Sequence, residues 1–264
     1  MARRTNASIM FTPLMRWERL TVPNSEGLAW IKTLSKDVKT SARTCLIKFD
    51  PGFRQGKTVS TWPVDSYVLE GEMTSGNRTY GPDTFHYRPA GVEFGPTETK
   101  KGITRVVFSS DEKHKASKKE VFHQDMKVVP WNKSYSDPTG LERGAKDLRQ
   151  DDVAGYSLLL HSSFKPYLRN LVGVGHVHDH AEEAFVVHGK WEDYLFDLDA
   201  HIIWQPGLYV CRPPNESWHG DTTSIETPNL VIVRRGWVGE TSKFNEKATE
   251  HSPSTPIQPI NFVE

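Results

Sequence analysis

Cysteine is almost absent from the 264 residues: only Cys45 and Cys211 occur. So few, and so far apart, they imply no disulfide framework, and a reducing cytosol is the default compartment. An excess of charge is missing too, because 33 Lys and Arg balance 33 Asp and Glu. No long-range field then favours nucleic acid or an acidic membrane, and a small-molecule substrate is the better partner. Long apolar runs are lacking, and M-A-R-R-T-N-A-S-I-M at the N-terminus is not followed by an apolar segment. A membrane-spanning helix and a secretory leader are both unsupported, which predicts a cytoplasmic protein. A 3.6-residue apolar stripe of helix length is also missing, which excludes a helical bundle.

Aromatic and turn residues are plentiful: eight Trp, eight Tyr and twelve Phe accompany 17 Pro and 19 Gly. Short aromatic-rich strands joined by sharp turns give an all-β reading. Helix is expected only as single turns near Glu26 to Ser35 and Lys118 to Gln124. The polar run D-E-K-H-K-A-S-K-K, Asp111 to Lys119, divides the chain into halves at residues 1–120 and 121–264.

The halves share a pattern. Lys32-x-Leu34-x-x-Asp37 precedes C-L-I-K-F from Cys45, and Lys146-x-Leu148-x-x-Asp151 precedes S-L-L-L-H from Ser157, an offset of 114. Y-V-L-E-G-E from Tyr67 matches F-V-V-H-G-K from Phe185 at 118, and Arg88-Pro89 matches Arg212-Pro213 at 124. A growing offset means loop insertions between duplicated strands. Each half is expected to be a small antiparallel barrel.

From Val174 the chain reads V-G-H-V-H-D-H-A-E-E-A-F-V-V-H-G. Residues two apart on a strand share a face, so His176 and His178 project together while Val177 points away. After a reversal, Glu182 opens the next strand and returns a carboxylate to the same point, and Glu183 must face the other way. His219, in R-P-P-N-E-S-W-H-G, is the candidate fourth ligand. His180 is in phase with His176 and His178 but sits in the reversal, as a ligand or a supporting group. His188, near the turn at Gly189, reads as surface.

The spacing His176-x-His178-x3-Glu182-x6-Gly189 resembles the first motif of the cupin superfamily. That resemblance implies two tandem jelly-roll barrels, a bicupin. The second motif is looser: Gly207 to Pro213 keeps its spacing, but His219 falls one residue late. Placing Gly71 on Gly189 puts Thr58, Ser60 and Val64 where the second half has His176, His178 and Glu182, and the fourth position falls on Phe94. None is a good transition-metal ligand. The resemblance thus implies one divalent transition metal per chain, in the second barrel, with the first barrel as scaffold or interface.

Histidine and carboxylate ligands suit Fe, Mn, Ni, Cu or Zn. Four protein ligands in an octahedral shell leave two open positions, which suits a redox metal holding substrate and O2. The leading reading by resemblance is an Fe(II) dioxygenase cleaving a small enolisable diketone or hydroxyaromatic compound. The alternatives are a non-oxidative isomerase, decarboxylase or lyase, and a small-ligand sensing module without catalysis. Candidate catalytic or substrate-orienting residues are His161, Arg212, Tyr194 and Trp218, with Phe185, Trp204 and Tyr209 as further pocket lining. For each of them, barrel core or rim is the competing assignment, because a one-residue change of strand phase flips the face. Cupins often dimerise by exchanging N-terminal strands, and I-M-F-T-P-L-M from Ile9 is the candidate arm for a homodimer.

Overall fold

The computed structural model describes residues 8–37, 42–109, 120–136, 142–151, 156–163, 175–178, 180–195, 200–214, 219–236 and 244–245. Among them the chain is almost entirely antiparallel β, with a single 3-10 turn at Thr12–Leu14. No helix among these residues is long and apolar enough to cross a membrane. The polar run that divides the halves, 111–119, lies outside the described residues.

The two halves build matching sheets. In the first, the strands run Phe122–Asp125, Thr84–Arg88, Val64–Gly71, Ile103–Ser109, Arg43–Phe49, Ala29–Lys36 and Glu18–Arg19 in hydrogen-bonded order. In the second, the order is Ser8–Phe11, Leu208–Arg212, Glu182–Leu195, His219–Arg235, Tyr156–Ser163, Glu142–Asp151 and Asn132–Ser136. The outermost strands are exchanged: Ser8–Phe11 pairs with Leu208–Arg212, and Phe122–Asp125 pairs with Thr84–Arg88. The segment from Ile9, read as a dimerisation arm, is therefore paired within its own chain.

Neither expected helical turn forms where the structure is described. Residues 29–36 are a strand, and so are residues 122–125. The first misleads because both of its faces are buried, Ala29 and Ile31 on one and Lys32 and Leu34 on the other, which blurs the two-residue alternation.

Both faces of each central strand are covered. One face packs on the other barrel, in a shared core that takes Leu34, Tyr67 and Phe85 from the first half and Leu148, Phe185 and Ile232 from the second. The opposite face lines each barrel's own lumen, around Phe49, Met73 and Phe94 in one and Val186, Trp191 and Trp204 in the other. Two-sided burial explains runs such as L-Y-V-C-R, buried at every position.

Polar groups inside the shared core are matched. Arg149 donates to both oxygens of Asp65, at 2.6 and 2.8 Å, and Tyr156 donates to the same carboxylate at 2.6 Å. Counting from Gly71 and Gly189, the counterpart of Asp65 is Glu183. Glu183 accepts from Ser35 at 2.7 Å, from Thr44 at 3.0 Å and from the Tyr209 hydroxyl. The duplication extends to two lysines. Lys32 Nζ donates to the Thr12 carbonyl and stands 4.5 Å from the Trp17 ring. Lys146 Nζ donates to the Met126 carbonyl and stands 4.4 Å from the Trp131 ring.

Replacing Asp65 with Ala should leave Arg149 charged between the barrels with Asp151, at 2.6 Å, as its one carboxylate partner among the described residues. A buried charge that loses a partner costs about 3 kcal/mol or more. Urea unfolding should show a loss of that size, and a change below about 1 kcal/mol, the value of an exposed pair, would contradict this placement.

Candidate metal centre

Glu182 opens the strand Glu182–Leu195, and His219 opens the strand His219–Arg235. These two long strands pair with each other through four register shifts, between Val186 and His188, His188 and Lys190, Lys190 and Trp191, and Glu192 and Tyr194. Each bulge adds local twist and bend, and bulges of this kind allow the two ends to meet in the lumen. The short strand Gly175–His178 lies beside His219, with His176 opposite His219 in register.

His178, Glu182 and His219 each offer one ligand atom, and these atoms lie within 4.8 Å of one another. His178 Nε2 is 3.6 Å from Glu182 Oε2, and the His178 and His219 rings are 5.0 Å apart. All three residues are buried. His180 is buried as well, with its ring 4.9 Å from His178.

Two guanidinium groups hold the carboxylate. Arg212 Nη1 donates to Glu182 Oε1 at 3.0 Å, and Arg235 Nε donates to Oε2 at 3.0 Å. Arg212 also donates through Nη2 to Asp193 at 2.9 Å and lies 5.1 Å from the Trp204 ring. Trp204 in turn stacks on Trp191, with ring centroids 4.9 Å apart. Arg212 is thus fixed by two carboxylates and an indole face.

Burial lowers the His178 pKa to about 4, against the opposing pull of Glu182 and assisted by Arg235, His180 and Arg212. Burial would raise the Glu182 pKa, but Arg235, His178, Arg212 and His219 overcome it and hold the carboxyl well below its usual range. At neutral pH the cluster therefore presents an unprotonated imidazole and an ionised carboxylate, the forms that bind a metal. Each carboxylate oxygen keeps a second lone pair after accepting its arginine. The donor set fits a divalent cation.

The remaining candidates divide. Arg212 reaches the cluster directly, through Glu182. His161 pairs with Val231, four residues from Arg235 along their strand, or about 13 Å from the pair Arg235 makes with Glu182. The side chains of His176 and Tyr194, and all of Trp218, lie outside the described residues. His188 is exposed, as expected. Phe185 and Tyr209 are not pocket residues: both sit in the core between the barrels, one strand face away from Glu182 and Ala184.

Two residues of the centre were missed from the sequence. Arg235 lies opposite Glu182 in register, and its signal was the Arg234-Arg235 pair at a strand end, which must send one guanidinium to each face. Asp193 lies eleven residues after Glu182, an odd number that strict alternation sends to the far side. Only the intervening bulges return it, and they leave no mark in the sequence.

No sequence-family profile matches the chain, and no curated protein matches its sequence. Solved structures do match it. A protein of Nostoc punctiforme provisionally named a dioxygenase superposes with a TM-score of 0.75 at 15% identity, covering 94% of this chain and 89% of that one. A Pseudomonas aeruginosa protein provisionally named glyoxylate-induced gives 0.64 at 11%, covering 94% and 92%. The oxalate decarboxylase of Lactobacillus farciminis, in its formate complex, gives 0.58 at 10%, covering 92% and 90%. At such identities the likeness is one of fold, and that fold is the tandem cupin, two jelly-roll barrels in one chain.

Comparing the chelator-treated protein with its His178→Asn variant tests the protonation state. The folded pKa of His178 is about 4, below the value of about 6.5 in an unfolded chain, so between those values the unfolded state binds more protons. The stability contribution is complete above about pH 6.5 and is lost as pH falls toward 4, by roughly 3 kcal/mol. Glu182, also depressed, acts in a lower window, losing its contribution as pH falls below about 4.3. Urea unfolding from pH 7 to 4 should be less pH-dependent in the variant by that amount. Identical slopes would contradict a neutral, buried His178.

Proposed function

We propose that this two-barrel chain is a mononuclear metal-dependent cupin enzyme acting on a small anionic, oxygen-rich substrate, with Fe(II)-dependent dioxygenase chemistry as the leading reading. His178, Glu182 and His219 would hold the metal. His176, opposite His219 in register, is the proposed fourth ligand, and the buried His180 is the alternative. The observation that carries the proposal is the convergence of His178, Glu182 and His219 beneath two arginines.

A bound divalent metal supplies a Lewis acid at this point and, if it is redox-active, an electron path to dioxygen. The chain's own residues set the rest. Glu182 and Asp193 balance Arg212 and Arg235, so a divalent cation makes the pocket net positive and matched to a carboxylate or enolate. Arg212, using both Nη atoms on carboxylates, is a positioning residue for Glu182. Arg235 commits only Nε to Glu182, and its side chain is 27% exposed. Among the described residues its two Nη groups make no hydrogen bond, and they can orient an anionic substrate in the bidentate geometry that guanidinium favours. The Trp191–Trp204 stack, with Val186 and Val233, forms a wall that keeps water from this end of the lumen.

A non-oxidative decarboxylase, lyase or isomerase is the second reading, favoured by the Arg235 guanidinium, which suits a substrate that binds through a carboxylate. Aerobic and anaerobic turnover of small oxo acids and diketones, with Fe(II) and with Mn(II), separates the two. Dependence on O2 with iron supports the dioxygenase, and anaerobic turnover with manganese replaces it with the second. Saturable substrate binding with no turnover under either condition would make the chain a sensing module.

Metal analysis should find one ion per chain. His219→Ala should reduce metal affinity by at least about tenfold, the scale already seen when an outer-shell partner of a ligand is lost, and unchanged affinity would remove His219 from the shell. His176→Ala and His180→Ala, measured together, identify the fourth ligand. Arg235→Met should raise KM even at saturating metal, whereas an unchanged KM under that condition would make Arg235 a support for Glu182 only.

A further inference from the structure

The lumen of the first barrel contains a cavity of about 270 Å³. Thr58, Ser60, Val64 and Phe94, the residues in the four former ligand positions, all line it. So do Arg43, Arg88 and Arg105, whereas no Asp or Glu does. Arg88 is the counterpart of Arg212. In the second barrel that arginine is neutralised by Glu182 and Asp193. Counting from Gly71 and Gly189, the first barrel has Val64 and Ser75 at those two places. The duplication kept the cation and removed both counter-anions.

Arg105 repeats the situation. The Nε atoms of Arg88 and Arg105 are buried without a hydrogen-bond partner, and among the described residues neither side chain forms an ion pair with a carboxylate. Their guanidinium groups lie against aromatic rings, Arg88 4.8 Å from the centre of Phe94 and Arg105 5.0 Å from that of Phe49. Ring stacking orients the guanidinium planes but satisfies none of their N–H donors. Burial lowers both pKa values only to about 10, with Arg88 adding to the effect on Arg105, so both remain charged at neutral pH. Burial, reinforced by Arg105 and Arg88, takes the neighbouring His86 to about 3, leaving it neutral. Water can fill N–H bonds in this half-buried place but supplies no counter-charge to two like charges that line the same cavity.

We infer that the first barrel is a binding site for a small organic carboxylate, whose anionic head is held by Arg88 and Arg105 and whose apolar body lies against Phe49, Met73 and Phe94. The hydroxyls of Thr58, Ser60 and Ser66 and the ring of His86 supply the polar remainder of the lining. Inorganic phosphate would satisfy the arginines but leave those apolar walls without a partner, so a carboxylate with an apolar body is the better match. The inference does not depend on the metal centre in the other barrel.

The test is calorimetric titration of the full chain with benzoate and, separately, with inorganic phosphate. Benzoate should bind one per chain. It should do so equally well in His219→Ala, while affinity falls by more than about tenfold in Arg88→Met and in Arg105→Met, the scale of a lost charge-assisted pair. Crystals soaked in 4-bromobenzoate should show the bromine in the first lumen, a readout that survives if an arginine variant fails to fold. Three outcomes overturn the assignment: no saturable benzoate binding, phosphate binding as tightly as benzoate, or bromine found only in the second barrel.

Discussion

Glu182 and Glu183 are neighbours on one strand, so their carboxylates are sent to opposite faces of a sheet that is covered on both sides. Much of the molecule is organised around that divergence. Glu183 enters the core between the barrels and gathers Ser35, Thr44 and Tyr209. Glu182 enters the lumen and gathers His178, Arg212 and Arg235. A buried carboxylate is tolerated only when it is paired and hydrogen-bonded, and each of these two is. One fixes how the barrels meet, and the other fixes where the donors converge.

The duplicated strand in the first half shows what happens when one of the two carboxylates is removed. Asp65 keeps the interface role, bound by Arg149 and Tyr156, while Val64 replaces the lumen carboxylate. The interface therefore remains symmetric in character and the two lumens do not. One lumen holds carboxylates, arginines and imidazoles in near balance, and the lining of the other holds arginines and an imidazole with no carboxylate. The first barrel, read from its sequence as scaffold, is on this electrostatic ground the barrel most in need of an external anion.

Strand exchange ties the halves together in a second way. Each half lends its first strand to the other's sheet, so the sequence boundary near residue 120 does not separate the sheets in space. Covering the edge strands in this manner also hides backbone groups that would otherwise pair with another molecule. The same segment that suggested a dimer arm is consumed inside the chain.

The sequence by itself determined the all-β class, the internal duplication and the divergence of Glu182 from Glu183, because each depends on local period or on spacing along the chain. It also placed His178 and Glu182 as candidates, since ligands on two consecutive strands are separated by a short, fixed count of residues, whereas His219 came from the resemblance of its looser motif. Only the tertiary structure decided that Phe185 and Tyr209 belong to the interface, that Asp193 and Arg235 belong to the centre, and that Arg88 and Arg105 meet no carboxylate among the described residues. Those facts depend on bulges and on cross-strand register. A bulge inverts every later side chain on its strand, and register joins residues that the chain keeps far apart.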